Sequence, residues 1–418
     1  MVEQSDERGQ RQLRCQSISS LWHALSAMLF ACLMLGGRAN AQLPEDFGPH
    51  PVGIRSVSFS HALAANSTVT ADIFYPALTN GQNAAPNAID GPYPLVAFLH
   101  GYFAPPSFYS ELTKHIASYG FVVAAVGTES GFFQNIQNEA HDAQAMLHWV
   151  DEQSGSVGSF LHQMPAPGPW SAVGHSNGAA AIFHALGWES RIRYVVSTEG
   201  NWFQIPSIST FDGFFLSIGS SQDVLAPPNN NARRYFTDAV SCRRRVYTQI
   251  QGGGHNGSLD FASSIETLPH SEQRRLHRRL ITGFLRAEVM RDKNLYTHLI
   301  GNGAASEPLT REAICPKPVL WLEHDGGQPG TMSAALAAVA GDDVLLAWTR
   351  RPGMQAMGLD VAGLSGFAFH TAQVGGNGVE EVNVPLPMSL SGTTLNVQGL
   401  RTAGNDWAYT RRATLSIP

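Results

Sequence analysis

Cysteine is scarce in this chain, with four in 418 residues, and two of them, Cys15 and Cys32, fall within the first forty. So few thiols exclude a disulfide-stapled scaffold and a cysteine-rich metal domain. Charge is also sparse, at 14% of residues with a net −6, and no basic field is available to hold nucleic acid. The one cationic run, Arg274-Arg275 and Arg278-Arg279, falls on an expected helix and reads as a solvated face. After residue 40 no apolar stretch approaches the ~20 residues needed to span a bilayer, so the mature chain is expected to have no membrane span. HExxH and the P-loop pattern are missing, and the sixteen histidines lack a paired ligand spacing with cysteines. Neither a metal nor another cofactor is expected.

The chain opens on a leader. Residues 1–20 are polar and carry Arg8, Arg11 and Arg14; an apolar block runs from Leu21 to Leu35, and Ala39-Asn40-Ala41 follows. A basic start, a short apolar core and a small-x-small end describe a secretory signal peptide over 1–41. The cut is expected after Ala41, sending the protein to the periplasm or the extracellular space. Cys242 and Cys315 then remain and are permitted to pair in that compartment, a link worth about 4 kcal/mol in chain-entropy terms.

The order of elements suggests the fold. Val52–Phe59 and Thr68–Tyr75 alternate apolar and polar residues like half-buried antiparallel strands. Continuous apolar runs at Pro94–Leu99, Phe121–Val126, Trp170–Val173, Tyr194–Val196, Phe214–Ile218 and Val246–Ile250 suit strands covered on both faces. Helical stretches separate them: Phe108–Ser118, Ala140–Asp151, Asn177–Leu186, Asn231–Ala239 and Glu272–Arg291. The alternation predicts an α/β domain over 42–300, a mostly parallel sheet with helices on both faces. Residues 301–317 read as a linker rich in Gly, Pro and Ala. From Pro318 to the end, short strand-like segments (Val319–Leu322, Asp343–Thr349, Gly366–Thr371, Thr393–Gln398) predict a small β-sandwich, with one helical stretch at Met332–Val339.

The chemistry gathers around Gly174-His175-Ser176-Asn177-Gly178, a G-x-S-x-G motif between an expected strand and an expected helix. The glycines permit a tight turn that lifts the Ser176 hydroxyl clear of the sheet, and the helix N-terminus favours a developing oxyanion. A serine hydroxyl needs a base, and this strand–turn–helix context orders its partners as acid, then histidine. His255, in Gly252-Gly253-Gly254-His255-Asn256-Gly257 after a strand, fits the base. Asp223, beyond the strand Phe214–Ile218, fits the acid, with Glu199 and Asp212 as competitors. Oxyanion donors are expected from the amides of Asn177 and Tyr102, the latter in Leu99-His100-Gly101-Tyr102, with Phe103 the alternative.

Several stretches resemble known families. Phe98-Leu99-His100-Gly101-Tyr102, Ser107–Leu112 and His115–Val123 resemble chlorophyllases and the bacterial cutinase-like and polyester hydrolases, members of the α/β-hydrolase superfamily. Asp223–Pro227 resembles the acid loop of the polyester hydrolases, and Gly252–His255 their histidine loop. The resemblance spans roughly residues 50–290 and implies an α/β-hydrolase fold. It also implies that the Tyr102 ring lines the cleft and that Trp202 matches an aromatic clamp. Asn177 departs from the pattern, standing where polyester hydrolases usually carry Met and chlorophyllases Arg. Leu390–Leu400 resembles β-sandwich domains appended to secreted bacterial proteins; for this chain, docking to a surface or a partner is the expectation.

The expected function is a secreted serine carboxylesterase acting on an apolar ester, polymeric or short-chain, with Tyr102, Phe103, Phe132, Phe133 and Trp202 around it. The alternatives are a chlorophyllase-like enzyme, a lipid ester hydrolase of the platelet-activating-factor type, and a non-catalytic binding protein on the same scaffold.

Overall fold

A computed structural model describes residues 42–417 except 203–204, 262–265, 325–329, 350–354, 357–358, 361–366, 387–393, 404–405 and 411–412. The expected leader over 1–41 lies outside the described residues. No helix among the described residues is long and apolar enough to cross a membrane.

Ten strands build the main sheet: β1 (Val52–Phe59), β2 (Val69–Pro76), β3 (Gly81–Gln82), β4 (Leu95–Leu99), β5 (Val122–Val126), β6 (Trp170–His175), β7 (Ile192–Thr198), β8 (Phe214–Ser220), β9 (Arg244–Ile250) and β10 (Leu309–Ile314). Their order is β10-β9-β8-β7-β6-β4-β5-β2-β1-β3. The run from β5 through β9 is parallel, while β2 and β10 close it antiparallel at the two sides. The parallel strands carry apolar side chains on successive residues because both faces are covered. Along β4, Val96 and Phe98 enter one core while Leu95, Ala97 and Leu99 enter the other. Helices α1 (Ser110–Ser118) and α5 (His270–Glu288) cover the first face; α2 (Ile136–Gly155), α3 (Asn177–Ala185) and α4 (Ala232–Asp238) lie on the second. Helix α2 starts one turn before its expected position because the Asn135 side chain caps it, accepting from the amides of Gln137 and Asn138 at 3.0 and 3.2 Å.

Residues 301–317, expected as a linker, contribute a strand instead. β10 pairs along its whole length with β9, from Leu309 opposite Ile250 to Ile314 opposite Arg245. Its composition hid this, since an edge strand needs backbone pairing more than an apolar face.

Beyond it every element among the described residues is a strand: β11 (Val319–His324), β12 (Thr331–Ala337), β13 (Asp343–Thr349), β14 (Gln355–Ala356), β15 (Leu359–Asp360), β16 (Phe367–Gln373), β17 (Val379–Pro385), β18 (Thr394–Ala403), β19 (Asp406–Tyr409) and β20 (Ala413–Ser416). One sheet runs β11-β12-β17, a second runs β16-β13-β18-β19 with β20 also on β18, and β14 pairs with β15. Leu320, Met332 and Leu336 of the first sheet share a core with Val344, Leu346 and Val397 of the second. The Met332–Val339 stretch, expected as helix, is β12, hydrogen-bonded between β11 and β17. Its alanines carry helix propensity, but a strand buried on both faces needs small apolar residues throughout, and pairing on two sides overrides propensity.

The first sheet's other face is not free. Trp321, Ala335 and Ala337 belong to the same core as Leu280 and Phe284 of α5, and the Trp321 ring stacks on Tyr296 at 5.9 Å in the short helix α6 (Tyr296–Leu299). Beside them Glu288 is a buried hub. It accepts from Arg244 at 2.7 and 2.8 Å, from Lys293 at 2.7 Å and from the Tyr296 hydroxyl, while Arg244 also donates to the Lys317 carbonyl at 2.8 Å. Burial alone would raise the Glu288 pKa, yet Arg244 and Lys293 hold it below the ordinary carboxyl value.

Cys242 and Cys315 are both buried free thiols, so the permitted disulfide is absent. They belong to cores on opposite faces of the main sheet, which puts the strands between them. Burial pushes each thiol up to about 12, leaving both protonated and inert.

Two outcomes follow from this packing. Trp321→Ala should destabilise the whole protein by about 3–5 kcal/mol, because the indole fills a core shared with α5; urea unfolding followed by a probe in the α/β region would measure it, and an unchanged midpoint there would contradict the shared core. Alkylation of the chain from residue 42 onward should mark both Cys242 and Cys315 in denaturant without reductant, and neither in native buffer.

Candidate active site

Strands β6, β8 and β9 end on the same side of the sheet, and the three residues singled out from the sequence sit just beyond them. Ser176 follows β6 directly, with φ +53° and ψ −118°. That backbone is unfavourable for a side chain and is imposed by its neighbours. A Cβ on Gly178 would stand 2.3 Å from the Leu99 carbonyl oxygen, and one on Gly174 would stand 2.6 Å from the backbone of Gly178 and Ala179. Only glycine lets α3 begin this close to β4.

His255 lies in the loop after β9. Its Nε2 is 3.0 Å from the Ser176 Oγ, and its Nδ1 is 2.8 Å from Asp223 Oδ2. The other carboxylate oxygen of Asp223 accepts the amides of Leu225 and Ala226 at 2.9 and 2.8 Å, which fixes the acid's orientation. The Gln222 amide donates to the Gly253 carbonyl at 2.8 Å, holding the acid loop against the histidine loop. Asp223 is buried, and Ser176 keeps 8% of its surface exposed at the floor of a cleft of about 360 Å³. Tyr102, Ala104, Asn177, Leu225, Ala226 and Asn256 are among the residues lining that cleft.

The backbone amides of Tyr102 and Asn177 find no hydrogen-bond acceptor among the described residues, which leaves them to meet an oxygen brought into the cleft. The Asn177 side chain is engaged elsewhere. Its amide donates to Gln134 Oε1 at 2.9 Å, and its oxygen accepts from Asn201 at 3.0 Å. Gln134 in turn donates to Glu139 at 2.7 Å; burial raises the pKa of that carboxyl to about 7. Nothing in the linear sequence pointed to Gln134, since its role comes from a loop that folds over the start of α3.

The rival acids are committed to other partners. Glu199 follows β7 directly, at φ +44°, and accepts from Ser220 Oγ at 2.7 Å and from His277 at 3.1 Å. Burial disfavours a charge on His277, but the Glu199 carboxylate raises its pKa above the ordinary imidazole value. Asp212 pairs with Arg193 at 2.5 Å, half exposed.

The aromatic expectations divide. Tyr102 lines the cleft and its hydroxyl donates to the Phe132 carbonyl at 2.9 Å. Phe103, Phe132 and Phe133 are 60%, 66% and 92% exposed and form a chain of ring contacts from Tyr102, at centroid distances of 5.5–6.4 Å. Phe103 is at the rim and does not line the cleft itself. Trp202 departs from its expected place: its ring packs on Tyr235 at 4.8 Å beneath the Arg234 guanidinium at 4.6 Å, and its amide donates to Asn231. With Tyr235 buried beside it, the half-buried indole packs against the core and does not line the cleft.

Gly178→Ala should destabilise the protein by about 1–3 kcal/mol by forcing Leu99 and α3 apart. Gly131→Ala, with open space around its Cβ position, should leave the midpoint unchanged. Equal denaturant midpoints for the two variants would show that the turn does not make this close approach.

Comparison with known proteins finds ester hydrolases among the relatives of this chain. Residues 83–195 match the chlorophyllase family. A cutinase of Thermobifida fusca is 23% identical over 242 residues, covering 56% of this chain and 75% of that protein. A bis(hydroxyethyl) terephthalate hydrolase of Streptomyces coelicolor is 24% identical over 252 residues, 56% of this chain and 74% of that protein. Chlorophyllase-1 of Arabidopsis thaliana is 29% identical over 136 residues, 31% of this chain, which spans only 41% of the plant protein's length. With a chlorophyllase-family segment running from the first parallel strand through the serine turn to β7, and with cutinase likeness over more than half its length, the chain is a relative of the chlorophyllases and cutinases of the α/β-hydrolase superfamily.

Proposed function

We propose that the protein is an exported serine carboxylic-ester hydrolase that works through an acyl-enzyme, with Ser176 as nucleophile, His255 as base and Asp223 as its orienting acid. The observation that carries this reading is the unbroken hydrogen-bond chain from the Ser176 hydroxyl through His255 to Asp223, at 3.0 and 2.8 Å. As Ser176 Oγ bonds to the ester carbonyl carbon, His255 Nε2 takes the hydroxyl proton and the imidazolium is stabilised by Asp223. The carbonyl oxygen, now negative, accepts from the amides of Tyr102 and Asn177 beside the positive end of α3. The C–O bond to the alcohol breaks as His255 returns the proton to it. Water then attacks the acyl group by the same route, releasing the acid and restoring Ser176.

The substrate is an apolar ester of the cutinase or polyester kind. Two exposed apolar groups reach the Ser176 cleft: Tyr102, which lines it, with Phe103, Phe132 and Phe133 in ring contact beyond it, and Leu225, which lines it, with Val224 next in the chain, 72% and 73% exposed. A soluble protein gains nothing from such exposure unless it meets an apolar partner. The names of the cutinase and terephthalate-ester relatives point the same way. The chlorophyllase-family match over 83–195 favours a second reading, a chlorophyll-type ester, because it covers both the Tyr102 loop and the serine turn.

Hydrolysis of p-nitrophenyl butyrate should be readily measured for the wild type and fall about 10⁴-fold or more in Ser176→Ala. Retained turnover in the alanine variant would overturn the nucleophile assignment. Product release from polyester film, chlorophyll and phospholipid, compared side by side, then identifies the substrate: film products favour the cutinase reading and chlorophyllide the second one.

A further inference from the structure

Two buried side chains that take no part in the proposed proton transfers connect three loops of the site. The Gly101 amide donates to the Tyr109 hydroxyl at 3.0 Å, Tyr109 lies 2.8 Å from His175 Nδ1, and His175 Nε2 lies 2.8 Å from the carbonyl oxygen of His255. The two ends of this chain, with a His175 ring kept neutral by burial, fix its direction. An amide only donates and a carbonyl only accepts. Tyr109 therefore accepts from Gly101 and gives its own proton to Nδ1, while His175 donates from Nε2. Each polar atom is satisfied, and the ring is neutral with one fixed tautomer.

Both groups are dry, Tyr109 at 0% and His175 at 2% exposure. Burial holds His175 well below the ordinary imidazole pKa and lifts the Tyr109 hydroxyl above its own. Neutrality matters because the His175 ring centroid is 4.9 Å from that of His255. A charge on His175 would oppose the imidazolium that His255 has to become. The fit is close: a Cβ on Gly101 would stand 2.7 Å from His175 Nδ1 and 3.2 Å from the Tyr109 hydroxyl oxygen.

Resting on the reading of Ser176 and His255 given above, we propose that Tyr109 and His175 are positioning residues that hold the Gly101-Tyr102 loop, the serine turn and the histidine loop in a single register for acyl transfer. Gly101 precedes the oxyanion donor, His175 precedes the nucleophile, and the carbonyl that His175 binds belongs to the base. One chain of three hydrogen bonds therefore sets the spacing of donor, nucleophile and base. Its hydrogen bonds grip backbone; the His175 ring borders the cleft but Tyr109 does not, so loss of the Tyr109 hydroxyl falls on kcat and spares KM.

The test uses the full mature chain with p-nitrophenyl butyrate, and counts competent sites by stoichiometric reaction with diethyl p-nitrophenyl phosphate. Tyr109→Phe keeps the ring volume and removes only the relay; kcat should fall about 10- to 100-fold with KM within about twofold and full site titration. His175→Gln offers an acceptor oxygen and a donor nitrogen and should retain more activity than His175→Phe. The proposal is overturned if Tyr109→Phe keeps kcat within twofold while Ser176→Ala is inactive. It is equally overturned if kcat falls only in proportion to the sites lost, or if His175→Phe matches His175→Gln. Activity persisting in Ser176→Ala would instead overturn the underlying esterase reading, so the two failures are distinguishable.

Discussion

The site depends on how closely one turn can approach one strand. Helix α3 starts against the end of β4, where a methyl group on Gly178 would overlap the Leu99 carbonyl oxygen. That contact drives Ser176 into a left-handed backbone, lifts its hydroxyl above the sheet and aims the helix N-terminus at the same space as the Gly101-Tyr102 loop. Tyr102 and Ser176 share one cleft because β4 and β6 are hydrogen-bonded neighbours, with Leu99 opposite Gly174. A parallel sheet places the ends of its strands together, and the loops leaving them have little choice but to meet.

Desolvation then decides which polar groups are available. The ends of these strands collect His100, His175, Glu199, Asp223, His255 and His277 with little water around them. Each buried group needs a defined partner and protonation state. Glu199 and His277 satisfy one another as a buried pair, and burial keeps His175 neutral beside Tyr109. His255 is left facing Asp223 alone on one side and Ser176 on the other. The geometry favours Asp223 as the proposed acid over Glu199 because of what Glu199 already holds, even though both lie at strand ends.

The C-terminal strands are continuous with this architecture. β10 extends the main sheet, Glu288 ties α5 to Arg244 and Lys293, and Trp321 reaches across to Tyr296 in the core of α5. A tethered module would present polar surfaces to its neighbour; here β11 and β12 are apolar on both sides. The double burial also explains why β12 reads like a helix: a strand with no solvent face loses the alternation by which strands are identified.

The sequence by itself determined the order of strands and helices from β4 through α5, the serine turn, and the short set of residues, His255 with Asp223 ahead of Glu199 and Asp212, from which its partners come. Those features rest on local requirements: apolar runs for covered strands, glycines at a close turn, a carboxylate and an imidazole just past strand ends. Tertiary structure decided whatever depends on packing between distant segments. It turned 309–314 into an edge strand, put Cys242 and Cys315 on opposite faces of a sheet, and drew Trp202 onto Tyr235. It also joined Gln134 to Asn177 and Tyr109 to His175. Such pairings are invisible along the chain because the free energy of burying a polar group depends on which atom arrives from elsewhere to satisfy it.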